Sequence, residues 1–262
     1  MKEYLRLMLT KENVKIAYGV PDEQSEIDEM FDLRTEVYIK EKKYIQNIDK
    51  DIDSHDKNNS CIYFIAKPEN YPIVGCARII QEKILPIEKD YFDFQPPKEF
   101  QNIKNGRLVE IGRIISRPQR IFKKTIPRHI IILGIFYSMI KYTKTTNIIG
   151  GYGAIKKYAY EKFKKLGIPI YEIKKFKLKF NPQKTEDPLK NFFREDEPVI
   201  PVYFLKEDIE KYFDYLFNKT KIFIPTNNNT YTYKKTNLGI KEILKLKIYS
   251  FLIKFNRKNQ VL

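Results

Sequence analysis

The sequence predicts an α/β protein of the α+β kind, with a mixed, mostly antiparallel sheet of about seven strands and helices on both faces. Three observations carry this. Short apolar runs of strand length recur between turn residues, two of them joined as a hairpin around Pro68-Glu69-Asn70-Tyr71-Pro72. Helix-period runs interrupt them at three places, giving the order β, α, three strands, α, β, α, β, β. A chain of 262 residues with 42% hydrophobic residues, 18 Phe and 19 Tyr has ample material for one large core, without any Trp.

The elements follow in order. Residues 13–18 alternate and form the first strand. From Pro21, Ile27, Met30, Phe31, Arg34, Val37 and Tyr38 fall at helical spacing behind early acids, and the pattern fades near Lys43. Residues 46–60 are polar and form a loop long enough to be functional. Residues 61–67 and 73–81 are the hairpin strands, 84–106 a proline-bearing connection, and 108–116 the next strand. A basic loop, 117–127, leads into an apolar helix over 128–144. A strand at 147–152, a helix at 158–166 closed by Gly167, strands at 169–180 and 199–205, and a helix at 207–217 complete the compact part. Residues 1–218 are thus expected to form the main domain. Residues 219–262 form a basic, partly amphipathic extension.

Net charge is +16, unevenly spread. Residues 219–262 hold ten Lys/Arg and one acid, a net +9, which leaves +7 for residues 1–218. Heavy Lys, Ile and Asn usage is also what a compositional bias of the source genome produces. A basic nucleic-acid-binding protein would rest on charge alone, since no zinc-finger or RNA-recognition pattern accompanies it, and no nucleic-acid partner is expected. No run of 18 apolar residues occurs and the N-terminus lacks a signal-peptide pattern, so a cytoplasmic protein is expected. Cys61 and Cys76 are read as buried thiols of a reducing compartment. With only His55 and His129 to add, no metal is expected. In the extension, Ile240, Ile243, Leu244, Ile248, Phe251, Leu252 and Phe255 recur at helical spacing among lysines. Such a helix suits peripheral contact with an anionic membrane, and equally docking on its own domain or on a second subunit.

The chemistry-bearing residues sit inside apolar strands. Leu108–Ser116 contains Glu110 and Arg113, and the run from Ile73 contains Arg78. Charges in such places are paired or used. In a flat strand Glu110 and Arg113 point to opposite faces, so a shared pocket requires a bulge near Ile111–Arg113, where Gly112 stands. A bulge or splay would also release backbone N–H groups. Burial should raise the pKa of Glu110 toward that of a general base. Lys123, Lys124, Thr125 and Arg128 precede an apolar helix and make a candidate anion site.

The order and these residues resemble the GNAT acyltransferase superfamily over roughly residues 14–217. Within it they are most similar to acyl-homoserine-lactone (autoinducer) synthases and N-acyl amino acid synthases. The likeness rests on Arg34, Tyr38 and Tyr44, on the acids Asp49, Asp51, Asp53 and Asp56 in the following loop, and on Arg78. Glu110 and Arg113 match the family's Glu-x-x-Arg. Residues 160–168 (YEKFKKLGI) resemble the GNAT helix before the sixth strand.

What the resemblance implies is a GNAT-like fold and an N-acyltransferase with no resident cofactor. It would move a fatty acyl chain from the phosphopantetheine thioester of acyl carrier protein, or of CoA, to the amine of an amino acid or similar small acceptor. Glu110 and Arg113 would be catalytic, and Arg34, Tyr38, Tyr44 and Arg78 would bind substrate. Lys123, Lys124, Thr125 and Arg128 would hold the phosphopantetheine phosphate. The acidic carrier protein suits a basic enzyme. Tyr44 stands where homoserine-lactone synthases have Trp, and the acids lack a clean pair spacing. Both favour an acceptor other than S-adenosylmethionine. The glycine-rich CoA pyrophosphate loop is replaced by residues 117–125 (RPQRIFKKT), which favours the carrier-protein donor. The alternatives are a homoserine-lactone synthase using S-adenosylmethionine and a non-catalytic acyl-binding module.

Overall fold

Strands β1 (Lys2–Leu9) and β2 (Val14–Val20) open the chain in the computed structural model. The structure describes all residues except 11–12, 102–105, 118–119, 122–123, 183–187, 195–196, 228, 234–239 and 260–262. Helix α1 (Gln24–Thr35) runs on into a π-helical turn (Glu36–Glu41), and α2 (Ser54–Lys57) interrupts the acidic loop. Then come β3 (Cys61–Pro68), β4 (Gly75–Ile80), a π-helical turn (Ile87–Tyr91), β5 (Phe92–Phe94), α3 (Lys98–Gln101) and β6 (Arg107–Ser116). Two-residue strands β7 (Arg120–Ile121) and β8 (Lys124–Thr125) precede α4 (Arg128–Thr143), β9 (Ile148–Lys156) and α5 (Lys157–Leu166). The chain closes with β10 (Ile170–Glu172), β11 (Phe176–Leu178), α6 (Lys190–Arg194), β12 (Val199–Leu205), α7 (Lys206–Asp214), β13 (Phe223–Asn227), β14 (Thr230–Tyr233) and α8 (Ile240–Asn259).

The principal sheet has ten strands, not about seven, in the order β10-β12-β9-β6-β4-β3-β2-β1-β14-β13. The β6–β9 and β1–β14 pairs are parallel and the other pairs antiparallel. The three additional strands lie on one side of the sheet. β1 buries Leu5, Leu7 and Leu9 at the two-residue period of a half-buried strand. The hairpin β13–β14 comes from the C-terminal extension and lies against β1. Its outer strand carries Pro225, a residue that sheets confine to edges. The single strand expected over 169–180 divides. β10 joins the principal sheet, whereas β11 turns away to pair with β5.

Two faces of the sheet are covered. Helix α4 is apolar nearly all round, because it is enclosed between the sheet and α7. Its Gly134 lies against the Tyr18 ring, where a Cβ would stand 2.2 Å from a ring carbon. Tyr18 Oη then donates to the Ile130 carbonyl at 3.2 Å. On the opposite face α1 packs Met30, Phe31 and Leu33 onto Ile65, Ile73, Cys76 and Ile115. Gly167 ends α5 in the left-handed conformation, φ +77°, as a C-cap glycine should.

Candidate active site

Two irregularities in the sheet create the site. The first is a bulge. Across β4 and β6, Arg78 pairs with Gly112 and Cys76 with Ile115, so Arg113 and Ile114 together oppose Ala77. The bulge reverses the strand's alternation. Glu110 and Gly112 already face the α1 side, in register with Ile80 and Arg78, and Arg113 turns to the same side. Its φ of +52° is the left-handed region, unusual for a bulky residue and costing about 1–3 kcal/mol. Gly112 adds open space there, since a Cβ built on it meets nothing within 4 Å.

The second irregularity is a splay. The parallel β6–β9 ladder runs from Arg107–Ile148 only to Glu110–Tyr152, although both strands continue, to Ser116 and Lys156. Beyond Glu110 the β9-facing edge of β6 pairs with no strand among the described residues. A cavity of about 1000 Å³ opens there, lined among others by Tyr38, Asp51, Asp53, Arg78, Glu110 and Arg113.

A closed lattice of three arginines and three aspartates backs one wall of the cavity, and four of its members, Asp51, Asp53, Arg78 and Arg113, line it. Arg34 Nε donates to Asp51 Oδ2 at 3.0 Å, and its two terminal nitrogens donate to Asp56 at 3.1 and 2.8 Å. Arg78 donates to Asp53 at 2.9 and 2.5 Å and to Asp56 at 2.8 Å. Arg113 reaches Asp51 at 3.0 Å and Asp53 at 3.4 Å. Arg34 and Asp51 are essentially inaccessible. Burial opposes ionisation of all three aspartates, but the facing guanidiniums outweigh it and hold each carboxyl below the ordinary range. Local capping keeps the loop in place. Asp53 and Asp56 form a reciprocal capping box on α2, and Asp51 N–H donates to Thr35 Oγ1. The acids that matter in the loop are therefore Asp51, Asp53 and Asp56, a register the sequence alone leaves open.

Glu110 is treated oppositely. It is buried, and no cation forms a salt bridge to it among the described residues. Its Oε2 accepts from the Ile87 N–H at 2.8 Å. Burial raises its pKa to about 7, against a smaller lowering by that N–H. An acid poised near neutrality can accept and return a proton.

The aromatic residues form the adjoining wall. The Arg113 guanidinium lies over the Tyr38 ring, 5.4 Å from its centroid, and Tyr38 Oη donates to the Ile114 carbonyl at 3.4 Å. Tyr44 packs on Tyr38 and on Phe192. The Lys156 ammonium lies over Tyr44 and Phe192, 5.4 and 5.0 Å from their centroids. Lys156 and Phe192 are cavity residues that no motif marked. Lys156 is an ordinary lysine at a strand end, and only the tertiary packing of α6 carries Phe192 to it.

Of the basic set, Arg128 is exposed at the start of α4 and lines the cavity. The backbone of Lys124 and Thr125 forms the second strand of the β7–β8 ribbon. Lys123 lies outside the described residues. His129 bonds Tyr233 Oη at 3.2 Å, and burial lowers its pKa to about 4, so it is neutral. Burial pushes both thiols up to about 12, so neither Cys61 nor Cys76 is an activated nucleophile.

A mixed sheet splayed beside a buried carboxylate, with helices on both faces and a large cavity at the splay, is the frame of an α/β enzyme site. The family model described as autoinducer synthase matches residues 21–182, from just before α1 to just beyond β11. The chain belongs to the autoinducer synthase family. Among solved structures it is similar to the acyl-homoserine-lactone synthase LasI, at 13% identity and TM-score 0.51, over 82% of this chain and 98% of that one. It is also similar to the CoA-dependent acyl-homoserine lactone synthase BjaI solved with MTA, at 12% identity and TM-score 0.50, over 86% and 92% of the two chains. FeeM, an N-acyl amino acid synthase from uncultured soil microbes, aligns at 15% identity and TM-score 0.47, over 74% and 94%. No curated protein sequence matches.

Proposed function

We propose that this acyltransferase moves a fatty acyl chain from a phosphopantetheine thioester, carried by acyl carrier protein, to the primary amine of an amino acid or related small molecule. The observation that carries the reading is Glu110, held near neutrality where β6 and β9 part. The acceptor releases one proton to solvent and reacts as its neutral amine, and the Glu110 carboxylate takes the second proton as the amine attacks the thioester carbonyl. The C–N bond forms, the C–S bond breaks, and the proton passes on to the departing thiolate. Backbone N–H groups at the bulge stabilise the tetrahedral oxyanion.

Arg34 and Arg78 organise the acidic loop. Arg113 and Asp53, the more accessible members of the lattice, suit the carboxylate and ammonium of a zwitterionic acceptor. Arg128, with Lys123, Lys124 and Thr125, suits the donor phosphate. CoA carries the same arm and is the alternative donor.

Family membership favours a second reading, homoserine-lactone synthesis from S-adenosylmethionine. Against it, the faces of Tyr44 and Phe192 already carry the Lys156 ammonium, which leaves them poorly suited to a sulfonium.

The test is acyl transfer by the purified protein from acyl carrier protein or CoA, with amino acids or S-adenosylmethionine as acceptor, read by mass spectrometry. N-acyl amino acids are expected, and their loss in Glu110→Gln. Release of methylthioadenosine with a lactone product would establish the second reading instead. No product from any pair would favour a non-catalytic acyl-binding module.

A further inference from the structure

Helix α8 has two apolar faces. Leu246 and Ile253, seven residues apart, are buried in the main core, and Tyr249 between them stacks on Tyr215 with ring centroids 4.0 Å apart. The fit is close, since a Cβ at Gly167 would stand 3.0 Å from the Leu246 carbonyl. That face is fixed to α5 and α7.

The opposite face is exposed and equally apolar. Leu244, Ile248 and Phe251 recur at helical spacing with Leu252 beside them, 55%, 52%, 65% and 45% accessible. Outside α8, the large apolar side chains exposed among the described residues are few and scattered, namely Ile84, Tyr158 and Leu178. At about 100° per residue, Lys245 and Lys247 fall on opposite flanks of the stripe, and both are exposed. Residues 243–262 hold five Lys/Arg and no acid. Ile243, next to the first residue of the stripe, lines the cavity together with Phe163 and Leu166.

We propose that α8 is an interfacial membrane anchor. Its inner face belongs to the fold, and its outer stripe enters the headgroup region of an anionic bilayer with the flanking lysines at the phosphates. The cavity wall at Ile243 then lies beside the lipid surface. Charge decides the occupant. A second copy of this chain would bring a like-charged stripe against it, whereas an anionic bilayer supplies the counter-charge and an apolar interior together. Among the described residues no helix is long and apolar enough to cross a membrane, so the contact is peripheral.

Flotation of the full chain with phosphatidylglycerol–phosphatidylcholine vesicles tests this without any substrate, so its outcome is independent of the acyl-transfer reading. Wild type is expected to float with anionic vesicles at low salt. Binding should fall about tenfold or more on pure phosphatidylcholine or in high salt. The double variant Ile248→Glu/Phe251→Glu should stay in solution while retaining the wild-type thermal midpoint. Two results would overturn the proposal. One is wild-type protein that stays in solution with anionic vesicles at low salt. The other is light scattering that shows a dimer which the same variant dissociates, because the stripe would then be the interface between copies.

Discussion

Two groups of carboxylates lie at one cavity, an acidic loop that lines it through Asp51 and Asp53 and the single acid Glu110, and they are held in opposite ways. Asp51, Asp53 and Asp56 are each gripped by two guanidiniums, which keep them ionised despite burial. Glu110, across the same space, receives one backbone N–H and, among the described residues, no ion pair. The difference lies in the partners, since all are substantially buried. Desolvation raises a carboxyl's pKa, and only facing charge of the other sign reverses that. The lattice, three cations against three anions, is a fixed structural element. The isolated acid is the group able to exchange a proton near neutral pH.

The comparison can be broken most severely from the lattice side. Removing one member leaves an uncompensated buried charge, so Arg34→Ala is expected to cost about 3–5 kcal/mol in urea unfolding. An unchanged midpoint would mean that the lattice does not hold the loop. Glu110→Gln keeps the acceptor for Ile87 N–H and removes the base. Acyl transfer should fall about 10²–10⁴-fold. Wild-type rate should rise with pH through about 7 and then level, and the residual activity of the variant should lose that inflection.

Stability sharpens the contrast because the two groups have opposite signs. Between the ordinary 4.5 and about 7, folded Glu110 keeps a proton that the unfolded chain has released. Stability from this group therefore falls as pH rises across that window, and Glu110→Gln should be more stable than wild type above neutrality, on the order of 3 kcal/mol. The aspartates are depressed, so their contribution is present above the ordinary 3.8 and is lost as pH falls through their lowered values. Urea midpoints of wild type and variant across pH read both signs. The smallest effect is expected at the strained corner. Arg113→Gly relieves the positive φ but loses the Asp51 bond, so the change in midpoint should fall well short of that for Arg34→Ala, while KM for the acceptor rises.

Much of the candidate site was legible in the residues. Charged side chains inside the β-branched runs of β4 and β6 marked Arg78, Glu110 and Arg113, because burial makes an unpaired charge too costly to be accidental. Gly112 between two members of the pair pointed to the bulge. The loop acids were visible as a group, but their assignments were not, because pairing depends on how a 15-residue loop folds back over the sheet. Lys156 and Phe192 were not legible at all.

The sequence carries the alternation of strands and helices, six of the seven expected strands as single strands, the C-cap at Gly167 and the residues that bring charge into the sheet. These are local properties, set by periodicity and by the cost of burying charge. Only the tertiary structure decided that β1 and the β13–β14 hairpin extend the sheet to ten strands, that β6 and β9 part at Glu110, and which aspartate meets which arginine. Strand pairing and ion pairing join residues distant in the chain, and no local preference specifies a partner.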